Sequence, residues 1–254
     1  MDVSEYKNIY KNESSHFYYA ANHALFLSRV AVFRTKTGKA LEILDAGCGT
    51  GLLTKKLQKF GKVTGVDIDP RAIFYSKKRG VKARYASVNN LPFESKKFDV
   101  VVSMDVLYHK KVDDKKALAE MYRVLKPGGI IILRVPANPI LLSSHDRFVH
   151  TRERYIKKKL LKKLQDAGFL VEKISYVNTI LFLPTLLKAA FEKISSPNRS
   201  SSSINRVPEL LNKAALTIMS FENLILKHYS LPFGIGLFAV AKRPDLSYNQ
   251  KTSR

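Results

Sequence analysis

Two periods alternate along this chain. Short apolar runs at residues 41–45, 62–67, 81–86, 98–104, 130–135, 171–177 and 234–243 predict strands, and 98–104 is apolar enough for a strand covered on both faces. Between them, apolar residues recur every three or four positions, which predicts helices over 1–36, 52–60, 70–80, 115–125, 155–169, 180–194 and 207–228. Several helix ends carry their own signals. Pro70 lies near a first turn, while Gly61, Gly80 and Pro127-Gly128-Gly129 follow last turns. Regular alternation of strand and helix predicts an α/β fold with a doubly wound, mostly parallel sheet. Residues 137–152 show no period and many polar groups, which predicts a long active-site loop.

The first strand runs into Asp45-Ala46-Gly47-Cys48-Gly49-Thr50-Gly51. Glycines at every second position allow positive φ and leave no side chains between the backbone and a ligand. The following helix turns free N–H groups toward the same place. The second strand ends at Asp67, where an acid suits a ribose diol. A dinucleotide loop reads GxGxxG, whereas this loop reads GxGxG with Asp45 two residues ahead. That spacing favours a sulfonium ligand with an amino-acid tail over a pyrophosphate. Cys48 reads as a small packing residue, and Asp69 reads as a helix cap ahead of Pro70.

On these residues the chain resembles the class I S-adenosylmethionine-dependent methyltransferase family. Leu91-Pro92-Phe93 ahead of Phe98-Asp99-Val100-Val101-Val102-Ser103 resembles the approach to that family's fourth strand. Val124-Leu125-Lys126-Pro127-Gly128-Gly129 ahead of Ile130-Ile131-Ile132-Leu133-Arg134-Val135 resembles the turn into its fifth. The resemblance implies a Rossmann-like seven-stranded sheet with an antiparallel last strand, one methyltransferase domain over 1–254, and S-adenosyl-L-methionine as cofactor. It implies that Gly47, Cys48, Gly49 and Gly51 border the methionine and ribose portions, with Asp45 organising the loop. Asp67 would accept the ribose hydroxyls, Ile68 would cover one adenine face, Val88 would offer its N–H to the ring, and Met104 would wall the cofactor. Ser87 stands where family members often place an acid for the adenine amino group. An uncharged partner there predicts modest cofactor affinity.

In the resembled fold the seventh strand closely follows the sixth, but here residues 179–232 intervene. The sixth strand would end, and the seventh begin, at the carboxyl edge of the sheet, so the insert is expected over the ligand site as a cap. Its two apolar helical stretches flank a serine-rich run, 195–203, that reads as a flexible linker. The leading helices, 1–36, are expected to dock on the sheet, with ligand contact by Tyr18 and Tyr19 as the alternative.

Composition narrows the class. With 254 residues and 45% hydrophobic content the chain can bury a full core. One cysteine, no charged-then-apolar leading segment and no apolar run of spanning length predict a cytoplasmic protein. The formal charge of +23 is unusual, yet Lys and Arg outnumber Asp and Glu in each of residues 1–40, 41–150 and 151–254 rather than in one basic arm. A nucleic-acid partner is therefore not favoured, and neither an RNA-binding module nor an Asn-Pro-Pro-Tyr tetrad follows the fourth strand.

Candidate acceptor chemistry lies in Ser144-His145-Asp146-Arg147-Phe148-Val149-His150. A histidine paired with Asp146, either His145 or His150, could take a hydroxyl proton during transfer. No metal site is expected, because compact ligand spacing is missing. Asp105, Tyr108 and His109 follow the fourth strand, with His109 expected to be structural. The leading expectation is methyl transfer to a small, bulky or hydrophobic acceptor. Alternatives are an RNA or protein methyltransferase and a non-catalytic or membrane-associated S-adenosylmethionine-binding protein. For the insert, a lid, a subunit interface and a peripheral membrane contact stay open, as does the oligomeric state.

Overall fold

A computed structural model describes residues 3–195 and 207–245. Its strands are β1 (Leu41–Ala46), β2 (Gly61–Asp67), β3 (Ala83–Tyr85), β4 (Phe98–Met104), β5 (Leu125–Pro136), β6 (Leu170–Val177) and β7 (Gly236–Lys242). They form one sheet in the order β3-β2-β1-β4-β5-β7-β6. Neighbours from β3 to β5 are parallel, and β7 runs antiparallel to both β5 and β6. The helices are α1 (Val3–Asn12), α2 (Phe17–Thr37), α3 (Leu52–Leu57), α4 (Pro70–Lys78), α5 (Asp114–Val124), α6 (Ser144–Phe148), α7 (Lys157–Asp166), α8 (Phe182–Ser195) and α9 (Glu209–His228).

Period-two alternation sorts each central strand between two cores. Leu44, Val101, Ile131 and Leu133 face one side, where Leu118 and Met121 of α5 and Leu160 and Leu164 of α7 cover them. Ile43, Val100, Ile132 and Phe238 face the other, covered by Phe26 and Val30 of α2, Leu53 and Leu57 of α3, and Leu226 of α9. Because both faces are covered, the central strands read as unbroken apolar runs. Chain order reverses between β1 and β4, which opens a crevice at their carboxyl ends.

Some boundaries differ from the periodic reading. The turn Lys126-Pro127-Gly128-Gly129 lies inside β5, because Leu125 already pairs with Phe98 before a register shift that resumes at Val100 with Ile130. The polar stretch after β5 is not one irregular loop. It forms a 3₁₀ turn at Pro139–Leu141 and then α6, whose capping box joins Ser143 and Asp146. Tyr155 stands outside α7, fully buried, with its hydroxyl donating to Asp114 at 2.7 Å.

The insert divides. Its first helix, α8, begins beside the crevice, whereas α9 lies along α2, where Asn223 donates to the Ala21 carbonyl and Arg29 to that of Leu226. Of the insert expected as a cap, α8 lines the cavity, whereas α9 packs on α2 of the leading helices. Most of the serine-rich run lies outside the described residues. No helix among the described residues is long and apolar enough to cross a membrane.

Candidate active site

At the end of β1 the backbone turns through Gly47 (φ +89°), Gly49 (φ +53°) and Gly51 (φ +84°). Different constraints select each glycine. A Cβ on Gly47 would stand 2.2 Å from Val106 Cγ2, while one on Gly49 would meet nothing within 4 Å, since Gly49 borders open space. The N–H groups of Gly47 and Cys48 both donate to the Val66 carbonyl, which pins the loop to β2. Asp45, buried beneath it, accepts from Thr54 Oγ1 at 2.7 Å, and burial pushes its carboxyl up to about 7. Cys48 is a packing residue as expected, buried with Sγ 3.7 Å from Ser76 Oγ.

Asp67 ends β2 and faces the loop. One carboxylate oxygen accepts from Gly49 N and the other from Asp69 N, each at 3.0 Å. Burial raises its pKa against the pull of those amides. Each oxygen keeps an acceptor position for a further donor. Asp69 caps α4 as predicted, by accepting from Arg71 N. From the other side, the turn between α1 and α2 closes on the loop. There Glu13, its pKa raised by burial, accepts from Thr50 Oγ1 and from Arg79.

A single cavity of about 920 Å³ joins this loop to the polar stretch after β5. Asp45, Gly47, Cys48, Gly49, Asp67, Ile68, Ser87, Val88 and Met104 line it, as do His145, Asp146 and His150. Gly51 does not. It sets the left-handed entry into α3 while its α-carbon faces Ser76 and Val81. Ser87 accepts from Asn89 N at 3.2 Å in a local turn. Tyr18 and Tyr19 also line the cavity, so the start of α2 contributes to the site while its later turns dock on the sheet.

The second half of the cavity rests on a group that the pattern of the chain flags only as a lone cation in an apolar strand. Arg134, 2% exposed, sends Nη1 to both oxygens of Asp105 at 2.6 Å and Nη2 to Asn178 Oδ1 at 2.9 Å. Burial disfavours its charge, but Asp105, Tyr18 and Tyr108 together outweigh that and the pKa rises. Tyr18 lies over the guanidinium, 5.1 Å from centroid to Cζ, and burial pushes the phenol up to about 12. Asp105 holds a left-handed backbone (φ +57°), as does Asn178 (φ +60°). Glu222 of α9 accepts from the N–H groups of Asn178 and Thr179, which fastens the start of the insert to the sheet edge.

Asp146, expected to pair with a histidine, also makes contacts with other side chains. Both Asp146 oxygens accept from Arg154, and Oδ2 also accepts from Ser143, so the carboxylate organises α6. Ser144 in turn donates to Glu192 of α8 through both its N–H and its hydroxyl. His145 and His150 stand at either end of this short helix and both face the cavity. His109, expected to be structural, also lines the cavity. Burial holds its pKa down at about 4, and the neutral ring donates from Nδ1 to the Val149 carbonyl at 2.9 Å. Among the described residues no group of His, Cys, Asp and Glu is placed to hold a metal ion.

Residues 44–133 match the family model described as a methyltransferase domain. The chain is 34% identical over 112 residues to the demethylmenaquinone methyltransferase of Staphylococcus aureus, covering 41% of this chain and 46% of that protein. It is 34% identical over 109 residues to the tRNA (carboxymethyluridine(34)-5-O)-methyltransferase of Arabidopsis thaliana, covering 42% of this chain and 27% of that one. The matches thus span about half the length, or less, of these curated relatives. The fold is that of a solved SAM-dependent methyltransferase from Thermotoga maritima, with a TM-score of 0.55, 19% identity and 95% of each chain covered. The matched segment carries the glycine loop, both acids and the fourth and fifth strands, and the sheet around it has the order described above. On these grounds residues 44–133 carry a methyltransferase domain, set in a sheet of the class I S-adenosylmethionine-dependent methyltransferase type.

Proposed function

We propose that this protein transfers a methyl group from S-adenosylmethionine to a small acceptor with substantial apolar bulk, bound beneath α8. One observation carries this reading: a single cavity is lined by Gly49 and Asp67 and also by His145, His150 and, from α8, Pro184, Thr185 and Lys188.

The residues fit the donor. Gly49 offers a face with no side chain, and the Asp67 carboxylate is buried on backbone amides with acceptor capacity to spare, as a ribose diol requires. Asp45 and Gly47 hold the loop around the methionine portion, and Cys48 packs behind it. Ile68, Ser87 and Val88 border the adenine position, and Met104 forms the wall toward the acceptor. Gly51 shapes the loop from outside the cavity. When bound, S-adenosylmethionine supplies an electrophilic methyl group on a sulfonium, so the protein's task is alignment and exclusion of water.

On the acceptor side the cavity is lined by Asp105 and Tyr108, by Tyr18 and Tyr19, and by α8. For a hydroxyl acceptor, His145 or His150 takes the proton as the new bond forms, with Asp146 acting through its hold on α6. The domain is read as one unit, 1–254, with α8 as its lid. The apolar acceptor has support from the Staphylococcus aureus relative, whose name specifies demethylmenaquinone.

Titration calorimetry with S-adenosylhomocysteine tests the donor half: a single-site isotherm is expected, and no heat from folded protein would sink the proposal. A tRNA acceptor is the second reading, favoured by the +23 charge and the Arabidopsis relative. Methyl incorporation into bulk tRNA, but not into an apolar extract, would replace the first reading with the second.

A further inference from the structure

We infer that α8 and the start of α9 dock on an anionic bilayer surface, which places the mouth of the cavity at the membrane. This goes beyond methyl transfer and does not depend on it.

The argument begins with the two faces of α8. At about 100° per residue, Leu181, Pro184, Thr185 and Lys188 share one face, and these four line the cavity. Leu183, Leu187, Phe191 and Ile194 share another, about a third of a turn away, and are 61%, 62%, 69% and 85% exposed. A helix that has already satisfied its inner face does not need a second apolar stripe for packing. α9 repeats the pattern. Met219 and Leu226 are buried, while Leu210, Leu211 and Phe221 are 80%, 60% and 65% exposed. Exposure peaks at Ile194 and Leu210, the ends that the chain between the two helices joins.

Charge selects the occupant. From Phe182 to Lys213 the sequence carries Lys188, Lys193, Arg199, Arg206 and Lys213 against Glu192 and Glu209, within a chain of +23. Apolar side chains flanked by cations suit the interface of an anionic bilayer, where both contribute to binding. A second copy of this chain would bring like charge against like charge. No helix among the described residues can span the membrane, so the contact is peripheral. An amphiphilic acceptor would then enter beneath α8 directly from the lipid.

Co-sedimentation of the full chain with vesicles tests the inference. An equal mixture of phosphatidylcholine and phosphatidylglycerol should retain the protein at least about tenfold better than phosphatidylcholine alone, with the difference shrinking in high salt. The double variant L187E/F191E should lose vesicle binding while its melting temperature and its binding of S-adenosylhomocysteine stay at wild-type values. Should that variant not fold, the lipid and salt dependence of the wild-type chain decides alone. Equal retention by both vesicle types, or by the variant and the wild type, would overturn the inference. So would a dimer in sedimentation velocity that L187E/F191E dissociates, since the face would then belong to a second copy.

Discussion

The donor half and the acceptor half of the cavity are built by different means. Around the glycine loop the contacts that shape the turn join residues close in the chain, such as Asp45 to Thr54 and Gly49 to Asp67, and Glu13 reaches in from farther away to Thr50. In the acceptor half they join segments far apart in the chain: Tyr18 over Arg134, Ser144 to Glu192, and Asn178 to Glu222. A loop shaped by its own backbone tolerates variation around it. A site assembled from side chains on separate elements depends on every element being present, which makes it the part of the molecule that changes with substrate.

The contrast breaks most sharply at Arg134. Replacing it with alanine leaves Asp105 and Asn178 without their buried partner, and the loss expected in urea unfolding is about 3–5 kcal/mol. Donor binding per molecule of folded protein should persist. A variant as stable as wild type would show that the acceptor half does not rest on this cation.

Proton linkage sharpens the comparison, because the two halves respond to pH in opposite directions. Asp45 has its folded pKa raised from 3.8 to about 7, so the folded chain holds the extra proton between those values and loses stability as pH climbs through them. His109 has its folded pKa lowered from 6.5 to about 4, so the unfolded chain binds the extra proton and stability rises with pH over that range. Each contribution is on the order of 2–4 kcal/mol across its window. Unfolding free energies of the ligand-free protein from pH 4 to 7 should therefore rise more steeply in Asp45→Asn and fall off in His109→Asn. Profiles parallel to wild type in both variants would contradict these assignments.

Within the donor half, Asp67→Asn removes the charged acceptor and should weaken S-adenosylhomocysteine binding by about 1.5–3 kcal/mol, measured by calorimetry. Its stability should fall as well, because the asparagine NH2 cannot accept from Gly49 N or Asp69 N, so the affinity is compared on folded protein. The smallest effect is expected at Ser87. Installing an acid there, Ser87→Asp, should tighten the same ligand by about 1 kcal/mol through a charge-assisted bond to the adenine amino group. Unchanged affinity would mean that Ser87 does not border the adenine.

Legibility in the chain follows the same division. The sheet was readable because strands buried on both faces leave long apolar runs, and β1 with its alternating glycines specifies a turn that few sequences can make. Gly51 shows the limit of a motif: it belongs to the loop's spelling, yet it shapes α3 from outside the cavity. Asp146 shows the limit of adjacency. It stands next to His145 in the chain, but Arg154 and Ser143 occupy both of its oxygens. Arg134 left a trace, a single cation in an apolar strand, without revealing its partners.

The sequence by itself determined the class of fold, the glycine turn and the acid at Asp67, because each depends on backbone geometry and on periods of two and three to four residues. Tertiary structure alone decided that Tyr18 and Tyr19 reach the cavity, that α8 lines it while α9 leaves to pack on α2, and that Arg134 joins Asp105 to Asn178. Those outcomes turn on which distant side chains meet, and no local pattern of apolar and polar positions encodes such meetings.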